Sequence, residues 1–250
     1  MITKLEQDYT IRALDVDLKG VWRPSAVLTR MQEIAEDHAI AVGAGRADLV
    51  DEKGLAWMLT RLHLKMTKYP ALTENIKVVT WPGKPTKLFF IRHTMFLSEA
   101  GEELGRATSL WVLFNIRERY LCRTGEIGEN YPYDLAHGTA LAEPTKIKMP
   151  DNMEHLARRI VMYSDTDMNG HMNNAKYADW ICELFSPDTL KNDQMADLRI
   201  NYIAETYMDD VVDIYCKQLE NTTLVCGKRN GHTVFDAAIE WKNNIGGIRR

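Results

Sequence analysis

Residues 164–185, SDTDMNGHMNNAKYADWICELF, are a polar turn followed at once by a helical pattern. Apolar side chains recur there at three- and four-residue spacing, at Tyr177, Ala178, Ile181 and Phe185. Asparagines stand at the cap position and Pro187 lies just beyond the end. The pattern predicts a helix over residues 174–185 that begins directly behind the turn.

The first half of the chain contains a second copy of this arrangement. Residues 25–42, SAVLTRMQEIAEDHAIAV, predict another helix, with Pro24 and Ser25 as its start signal and Gly43 as its stop. The two copies align at an offset of 150 residues, which matches Asp17 with Asp167, Gly20 with Gly170 and Glu33 with Glu183. Identity is low, so the repeat rests on the shared order of turn, helix and strands.

Six runs rich in β-branched and aromatic residues, each bounded by turn residues, predict strands. They cover residues 76–80, 88–97, 107–116, 211–218, 223–228 and 233–242. Glycine and proline concentrate between the halves, from about residue 125 to 155, as in a linker. We therefore predict an α+β protein with two copies of one unit: residues 1–128, a linker over 129–154, and residues 155–250.

Three polar side chains of the second turn, Asp167, Asn169 and His171, are spaced two residues apart. In an extended segment this spacing puts them on one side. They lead into a helix N-terminus, where free N–H groups and the helix dipole favour developing negative charge. A carboxylate, an amide and an imidazole that converge there can activate water and polarise a carbonyl.

The same residues also have a purely structural interpretation. Asp and Asn are common in turns and caps ahead of helices, and Gly170 suits an ordinary turn. The first copy helps to decide, because Lys19 and Val21 replace Asn169 and His171 there. A turn and a helix start do not need the amide and the imidazole, which favours a chemical role for them in the second copy.

Composition restricts the class of protein. The 250 residues are 45% hydrophobic and 26% charged, as in soluble globular proteins. No run approaches the roughly 18 apolar residues of a membrane span, and residues 1–20 carry both signs of charge, unlike a signal peptide. We expect a cytoplasmic protein. A net charge of −4 argues against nucleic acid as a partner, and four separated cysteines without metal spacing predict reduced, structural thiols.

Residues 167–183, DMNGHMNNAKYADWICE, resemble the D-x-N-x-H-x-N-N-x-x-Y signature of acyl-acyl carrier protein thioesterases, double hot dog proteins of fatty-acid synthesis. Residues 54–61, GLAWMLTR, resemble the first long strand of that family, and residues 106–115, RATSLWVLFN, resemble the last strand of its first domain. The resemblance implies two tandem hot dog domains, each a long helix wrapped by an antiparallel sheet. Their sheets would fuse into one extended sheet, with catalysis in the second domain.

Residues 200–206, INYIAET, fall where the family has a strand that ends in a catalytic glutamate followed by cysteine. Glu205 is present, whereas Thr206 replaces the cysteine, so a cysteine nucleophile cannot act there. Without the resemblance, Glu205 would be interpreted as a solvated charge at a strand end. The resemblance implies that the catalytic set is Asp167, Asn169, His171 and Glu205, with no metal and no organic cofactor.

The implied reaction is hydrolysis of fatty acyl-acyl carrier protein to free fatty acid and holo-carrier protein. Either Glu205 or Asp167 would deprotonate a water that Asn169 and His171 help to orient. Backbone N–H groups at the start of the second helix would polarise the thioester carbonyl, with Asn173 or Asn174 as a further contact.

The acyl tail would occupy the first domain. Its candidate lining residues, each of which is equally compatible with plain core packing, are Met31, Ile34, Ala35, Trp57, Met58 and Leu59. The acidic carrier protein would dock on cations such as Arg158, Arg159 and Lys176, which a solvated face explains as well. An acyl-CoA thioesterase, a hot dog hydratase and a non-catalytic acyl-binding sensor are the alternatives, and monomer and homodimer both stay open.

Overall fold

The computed structural model describes residues 2–127, 131–243 and 247–248. Its helices are α1 (Pro24–Ala41), α2 (Lys176–Cys182) and α3 (Pro187–Asn192). The strands of the first half are β1 (Leu5–Thr10), β2 (Leu55–Met66), β3 (Asn75–Pro82), β4 (Phe90–Ser98), β5 (Glu103–Asn115) and β6 (Tyr120–Leu121). Those of the second half are β7 (Glu154–Ile160), β8 (Met195–Tyr202), β9 (Val211–Gln218), β10 (Thr223–Arg229) and β11 (His232–Trp241). Short helical turns lie at Ala13–Asp15, Ala47–Asp51, Thr124–Ile127 and Tyr163–Asp165.

The described strands form one antiparallel sheet in the order β1-β3-β4-β5-β2-β8-β11-β10-β9-β7, with β6 paired to β5. At the centre of the sheet, β2 of the first half pairs with β8 of the second. From there, β2-β5-β4-β3-β1 on one side corresponds strand by strand to β8-β11-β10-β9-β7 on the other. The main core contains side chains of α1, α2 and both halves of the sheet, among them Ile34, Ile181, Phe96 and Phe235. This is the expected α+β architecture of two hot dog units with fused sheets.

The six strands predicted from composition are all present, with ends that differ by up to four residues. Composition did not predict the other five strands of the described structure. The resemblance alone indicated β2 and β8, at residues 54–61 and 200–206, and the two-residue β6 was missed. Also missed were β1 and β7, the outermost strands of the sheet. Their sequences, LEQDYT and EHLARRI, are strongly charged. Charged side chains are common on edge strands, because they discourage pairing with another chain. Such strands lack the apolar alternation by which sheet segments are recognised.

The second helix is shorter than predicted. It covers seven residues, Lys176–Cys182, instead of residues 174–185. Asn173 sets its start, because its side-chain oxygen accepts a hydrogen bond from the N–H of Ala175 and its carbonyl accepts one from Lys176. Pro187 does end the pattern, and it is also the first residue of α3, which Ser186 caps.

The predicted linker, residues 129–154, lies against the first half of the sheet. Residues 131–153 of it contain no helix or strand, residues 129 and 130 lie outside the described ranges, and Glu154 already begins β7. The indole N–H of Trp81 donates to the carbonyl of Gly138 at 3.0 Å, and the N–H of Leu141 donates to Thr108 Oγ1 at 3.0 Å. The domain boundaries stay a prediction.

No helix in the described ranges combines the length and the apolar content that crossing a membrane requires.

A buried carboxylate stabilises the junction of the two halves. Asp197 on β8 is 6% exposed and lies opposite Lys65 on β2. One of its oxygens is 2.9 Å from His63 Nε2 and 3.3 Å from Lys65 Nζ, and the other is 3.3 Å from Arg199 Nε. Burial raises the pKa of Asp197, but the hydrogen bond with His63 and the surrounding positive charges outweigh it and hold the pKa below its ordinary value.

We predict that Asp197→Asn lowers the free energy of unfolding by about 1–3 kcal/mol at pH 7, since charged hydrogen bonds contribute on that scale. The stabilisation is fully present above the pKa of an unfolded aspartate, about 3.9, and is lost as the pH falls through the lower folded value. Urea denaturation at several pH values measures the difference. Asp8→Asn, at an exposed position of β1, is the matched control, and an equal effect of both substitutions would contradict the prediction.

Candidate active site

The turn ahead of α2 is closed by hydrogen bonds from Asp167. Its Oδ1 accepts from the N–H of Asn169 at 2.8 Å, and its own N–H donates to the carbonyl of His171 at 2.8 Å. The N–H of Gly170 donates back to the Asp167 carbonyl at 3.0 Å. Gly170 has a φ of 77°, a conformation that glycine adopts without strain. The sequence therefore encodes a tight turn that presents its alternate side chains to one side.

The first copy builds its turn in the same way. Asp17 Oδ1 accepts from the N–H of Lys19 at 2.8 Å, and the Asp17 N–H donates to the carbonyl of Val21 at 2.8 Å. Gly20 has a φ of 73°. The two copies thus share backbone geometry, and neither the amide of Asn169 nor the imidazole of His171 is needed to form it.

A contact between His171 and Glu205 distinguishes the second copy. His171 Nδ1 lies 3.5 Å from Glu205 Oε1, and the hydroxyl of Tyr207 donates to Glu205 Oε2 at 2.9 Å. The Tyr207 ring meets the imidazole edge-on, with 4.9 Å between centroids. The hydrogen bond to Glu205, with burial, raises the pKa of Tyr207, so its hydroxyl stays a donor at neutral pH.

Glu205 does not lie on the strand that the resemblance implied. β8 ends at Tyr202, and Glu205 lies three residues farther on, in the connection that leads to β9. The adjacent Thr206 is 1% exposed, and its hydroxyl shares a 2.9 Å hydrogen bond with Tyr177 of the signature. A buried and hydrogen-bonded threonine at the family's cysteine position serves packing.

A cleft of about 570 Å³ between the two halves brings the predicted catalytic residues together. Asp167, Asn169, His171 and Glu205 line it from the second half. Residues 57–61 of β2 line it from the first half, together with Val112 and Phe114 of β5. The apolar wall and the polar turn of this cleft therefore come from different halves of the chain.

Two family models match the chain, the acyl-ACP thioesterase N-terminal domain over residues 3–131 and the acyl-ACP thioesterase C-terminal domain over residues 149–243. The chain belongs to the acyl-ACP thioesterase family. Both models fall on the halves described above, and the signature turn lies inside the second.

Relatives of known name agree with this family. The chloroplastic palmitoyl-acyl carrier protein thioesterase of Gossypium hirsutum is 29% identical over 218 residues, which cover 82% of this chain and 53% of the relative. The chain spans about half the length of the curated relatives it matches. Its fold is similar to an acyl-ACP thioesterase from Bacteroides thetaiotaomicron, with 25% identity, a TM-score of 0.81 and coverage of 96% and 98% of the two chains. It is also similar in fold to the 12:0-ACP thioesterase from Umbellularia californica, with 24% identity, a TM-score of 0.82 and coverage of 97% and 98%.

The six residues predicted to line the acyl tail do not all border a cavity. Trp57, Met58 and Leu59 line the cleft of about 570 Å³, which is called the catalytic cleft below after the predicted catalytic residues that line it. Met31 and Ala35 line a narrow space of about 20 Å³ beside α1, which shares Leu59 and Tyr202 with the cleft. Ile34 is fully buried and lines none of these spaces, so it packs the core.

Of the two asparagines predicted to contact substrate, only one lines the cleft. Asn174 lines the catalytic cleft, and its carbonyl accepts a hydrogen bond from Tyr202 at 3.0 Å. Asn173 does not line the cleft, and its side chain caps the turn into α2 instead. Since the N–H groups of Ala175 and Lys176 are both bonded to Asn173, they are not free to bind a carbonyl, as the sequence analysis expected of the helix start.

Sequence reasoning missed Tyr207 and Arg92. Tyr207 lies two residues beyond Glu205, and no motif singled it out. Arg92 on β4 is 8% exposed, and its Nη1 lies 3.2 Å from His38 Nδ1 and 3.4 Å from Thr80 Oγ1. Burial, and then the charge of Arg92, lower the pKa of His38 to about 4, so the imidazole is neutral.

The proposed docking cations lie away from the catalytic cleft. Arg158 pairs with Asp213 at 2.7 Å, Arg159 with Glu183 at 2.8 Å and Lys176 with Asp179 at 3.5 Å. All three cations line a different cleft, which is described below. The cations that line the catalytic cleft are Arg61 and Lys146.

The cysteines take no part in the cleft. The four cysteines, each within the described ranges, form no disulfide. Burial raises the pKa of Cys182 in α2 to about 12, so this thiol stays protonated and is a poor nucleophile.

We predict that Asp17→Ala and Asp167→Ala lower the free energy of unfolding by similar amounts, about 0.5–2 kcal/mol each, because both carboxylates close the same turn. Chemical denaturation of the two variants side by side measures this. A loss at Asp167 several times that at Asp17 would show that the second carboxylate stabilises more than its turn.

Proposed function

We propose that this chain hydrolyses the thioester of fatty acyl-acyl carrier protein and releases free fatty acid and holo-carrier protein. The contact between His171 and Glu205 at the cleft between the halves carries the proposal. The first copy has no such contact within the described ranges. The isolated bridges of Val21 with Ala71 and of His171 with Tyr207 place Val21 and Tyr69 at the corresponding positions there. The names of the relatives, acyl carrier protein thioesterases, support the same reaction.

Glu205 is the better candidate for the base that deprotonates water. Asp167 Oδ1 is engaged in closing the turn, a task that Asp17 performs in a copy without the other catalytic side chains. The Glu205 side chain is 41% exposed and can meet water, while Tyr207 holds Oε2 and leaves Oε1 facing His171. A positioned base of this kind accelerates proton transfer by about 10²–10⁴-fold.

The reaction then proceeds in two steps. Glu205 takes a proton from water while the water oxygen attacks the thioester carbonyl carbon. This attack gives a tetrahedral oxyanion. The C–S bond breaks, the carrier's thiolate leaves, and the proton held by Glu205 passes to the sulfur through His171. The side-chain amides of Asn169 and Asn174, which line the cleft, are the proposed donors to the oxyanion.

The acyl tail extends from the cleft into the first half. Leu59 and Tyr202 border both the cleft and the narrow space at Met31 and Ala35, so a tail that displaces these side chains would follow α1. Residues 1–128 would thus hold the tail and residues 155–250 the catalytic set. The acyl carrier protein is the proposed partner and the cytoplasm the proposed compartment, with the chain acting as a monomer or a homodimer and without a metal or organic cofactor.

The proposal predicts thiol release from acyl-acyl carrier protein by wild type and a loss of about 10²–10⁴-fold in kcat for His171→Ala and Glu205→Gln. Asp167→Asn keeps the turn acceptor, so its kcat falls by less than about tenfold. Val21→Ala, the counterpart of His171→Ala in the first copy, controls for packing.

Each outcome of that assay has a clear meaning. If Asp167→Asn is as inactive as Glu205→Gln, Asp167 is the base. Turnover of acyl-CoA alone would identify the chain as an acyl-CoA thioesterase. Binding of thioesters without any turnover would overturn the hydrolase and leave an acyl-binding sensor.

Arg92 is proposed to limit the length of the acyl chain. It borders the narrow space at Met31 and also a further one of about 60 Å³ lined by Trp57 and Phe90. A buried guanidinium cannot be solvated by an apolar tail, so the tail must end before it.

We predict that Arg92→Met shifts the ratio of kcat/KM toward longer acyl chains, by roughly fourfold for each methylene newly buried at ~0.8 kcal/mol. A panel of acyl-acyl carrier proteins of increasing length measures the shift, with Arg46→Met at an exposed position as control. An unchanged length profile in a folded Arg92→Met protein would show that the tail does not reach this residue.

A further inference from the structure

A second cleft, of about 920 Å³, lies between the turn of the first half and α2 of the second. It is larger than the catalytic cleft, and its volume is in the range of small-molecule sites. Much of its wall is apolar and aromatic, contributed by Val21, Trp22, Trp180, Leu190, Met195 and Trp241.

This second cleft is the repeat-related counterpart of the catalytic cleft. Isolated bridges pair Val21 with Ala71 in the first half and His171 with Tyr207 in the second, which places Tyr69 at the position of Glu205. Asp17, Lys19, Val21 and Tyr69 all line it, as Asp167, Asn169, His171 and Glu205 line the catalytic one. Asp17, Asp165, Asp179 and Glu183 line the second cleft, but no histidine of the described structure does, so it lacks the pair of imidazole and glutamate on which the proposed hydrolysis depends.

One cation of the second cleft differs from the others. Lys19, Arg158, Arg159 and Lys176 each have a carboxylate within 4 Å. Arg23 has no ion pair and no side-chain hydrogen bond with any residue in the described ranges. It is the residue before Pro24, where α1 begins, and that 18-residue helix has no side-chain cap. An unpaired guanidinium beside a helix N-terminus favours a carboxylate.

Two tryptophans of the aromatic wall present their rings, not their N–H groups, to the second cleft. The indole nitrogens of Trp22 and Trp241 are buried without a hydrogen-bond partner among the described residues. The two side chains are 0% and 8% exposed. Because neither N–H is accessible from the cleft, these tryptophans offer a ligand apolar contact, which suits a hydrocarbon tail.

We propose that the second cleft binds a free fatty acid, with its carboxylate on Arg23 at the start of α1 and its tail among the tryptophans. The choice of a fatty acid rests on the proposed function, because it is the product of that reaction. The cleft would then sense product at a site separate from the catalytic residues.

Equilibrium dialysis of labelled dodecanoate against the full chain tests the proposal. We expect Arg23→Gln to raise the dissociation constant for dodecanoate at one class of sites, that of the second cleft, by roughly tenfold. Arg46→Gln, at an exposed position, should leave that constant unchanged. Tryptophan quenching by 12-bromododecanoate locates the tail. Trp241→Phe, which keeps an aromatic ring against Phe185, should lower the quenched fraction.

Three results would overturn the proposal: no effect of Arg23→Gln on dodecanoate, equal affinity for neutral dodecanol, or quenching that Trp241→Phe does not alter. A fourth would replace it, namely an Arg23→Gln protein that binds dodecanoate normally but loses turnover of carrier-linked substrate. In that case the cleft docks the carrier. Thiol release measured on the same preparations separates the two proposals, because dodecanoate binding does not depend on hydrolysis.

Discussion

The pairing of β2 with β8 is the constraint on which the rest of the molecule depends. Five residue pairs, from Arg61 with Asn201 to Lys65 with Asp197, join the two half-sheets into one. Because β8 ends just past this junction, the connection that carries Glu205 emerges beside residues 57–61 of the other half. Neither half alone contains both the polar turn and the apolar wall, so the catalytic cleft exists only while the junction holds.

The repeat separates what builds the site from what gives it chemistry. An aspartate, a glycine and the backbone bonds between them form the same turn twice. The two copies differ at three positions, where Lys19, Val21 and Tyr69 of the first stand for Asn169, His171 and Glu205 of the second. Function on this scaffold therefore depends on a few side chains, as is general for folds that host several activities.

The sequence predicted the parts whose signals are local. The sequences of strands such as β9 and β10 are rich in β-branched residues, and the signature turn has polar residues two positions apart. The edge strands β1 and β7 were missed because they are held by neighbours rather than by apolar alternation. The periodicity of α1 could not tell Ile34 from Met31, since both lie on its buried side and only the sheet opposite decides which one borders a space. Arg92 gave no signal, because its burial arises from α1 and β3 packing around it.

Two arginines without a carboxylate partner in the described structure lie near opposite ends of α1, and each borders a cavity. Arg92 borders the narrow spaces beside α1, held by a neutral His38 and by Thr80. Arg23 lies at the start of α1, in the second cleft. For the proposed ligands the two charges would act differently, since Arg92 would limit a hydrocarbon tail beside it, whereas Arg23 would attract an anionic head group. The same side chain thus has opposite consequences for an acyl ligand, and its position relative to the helix decides which one applies.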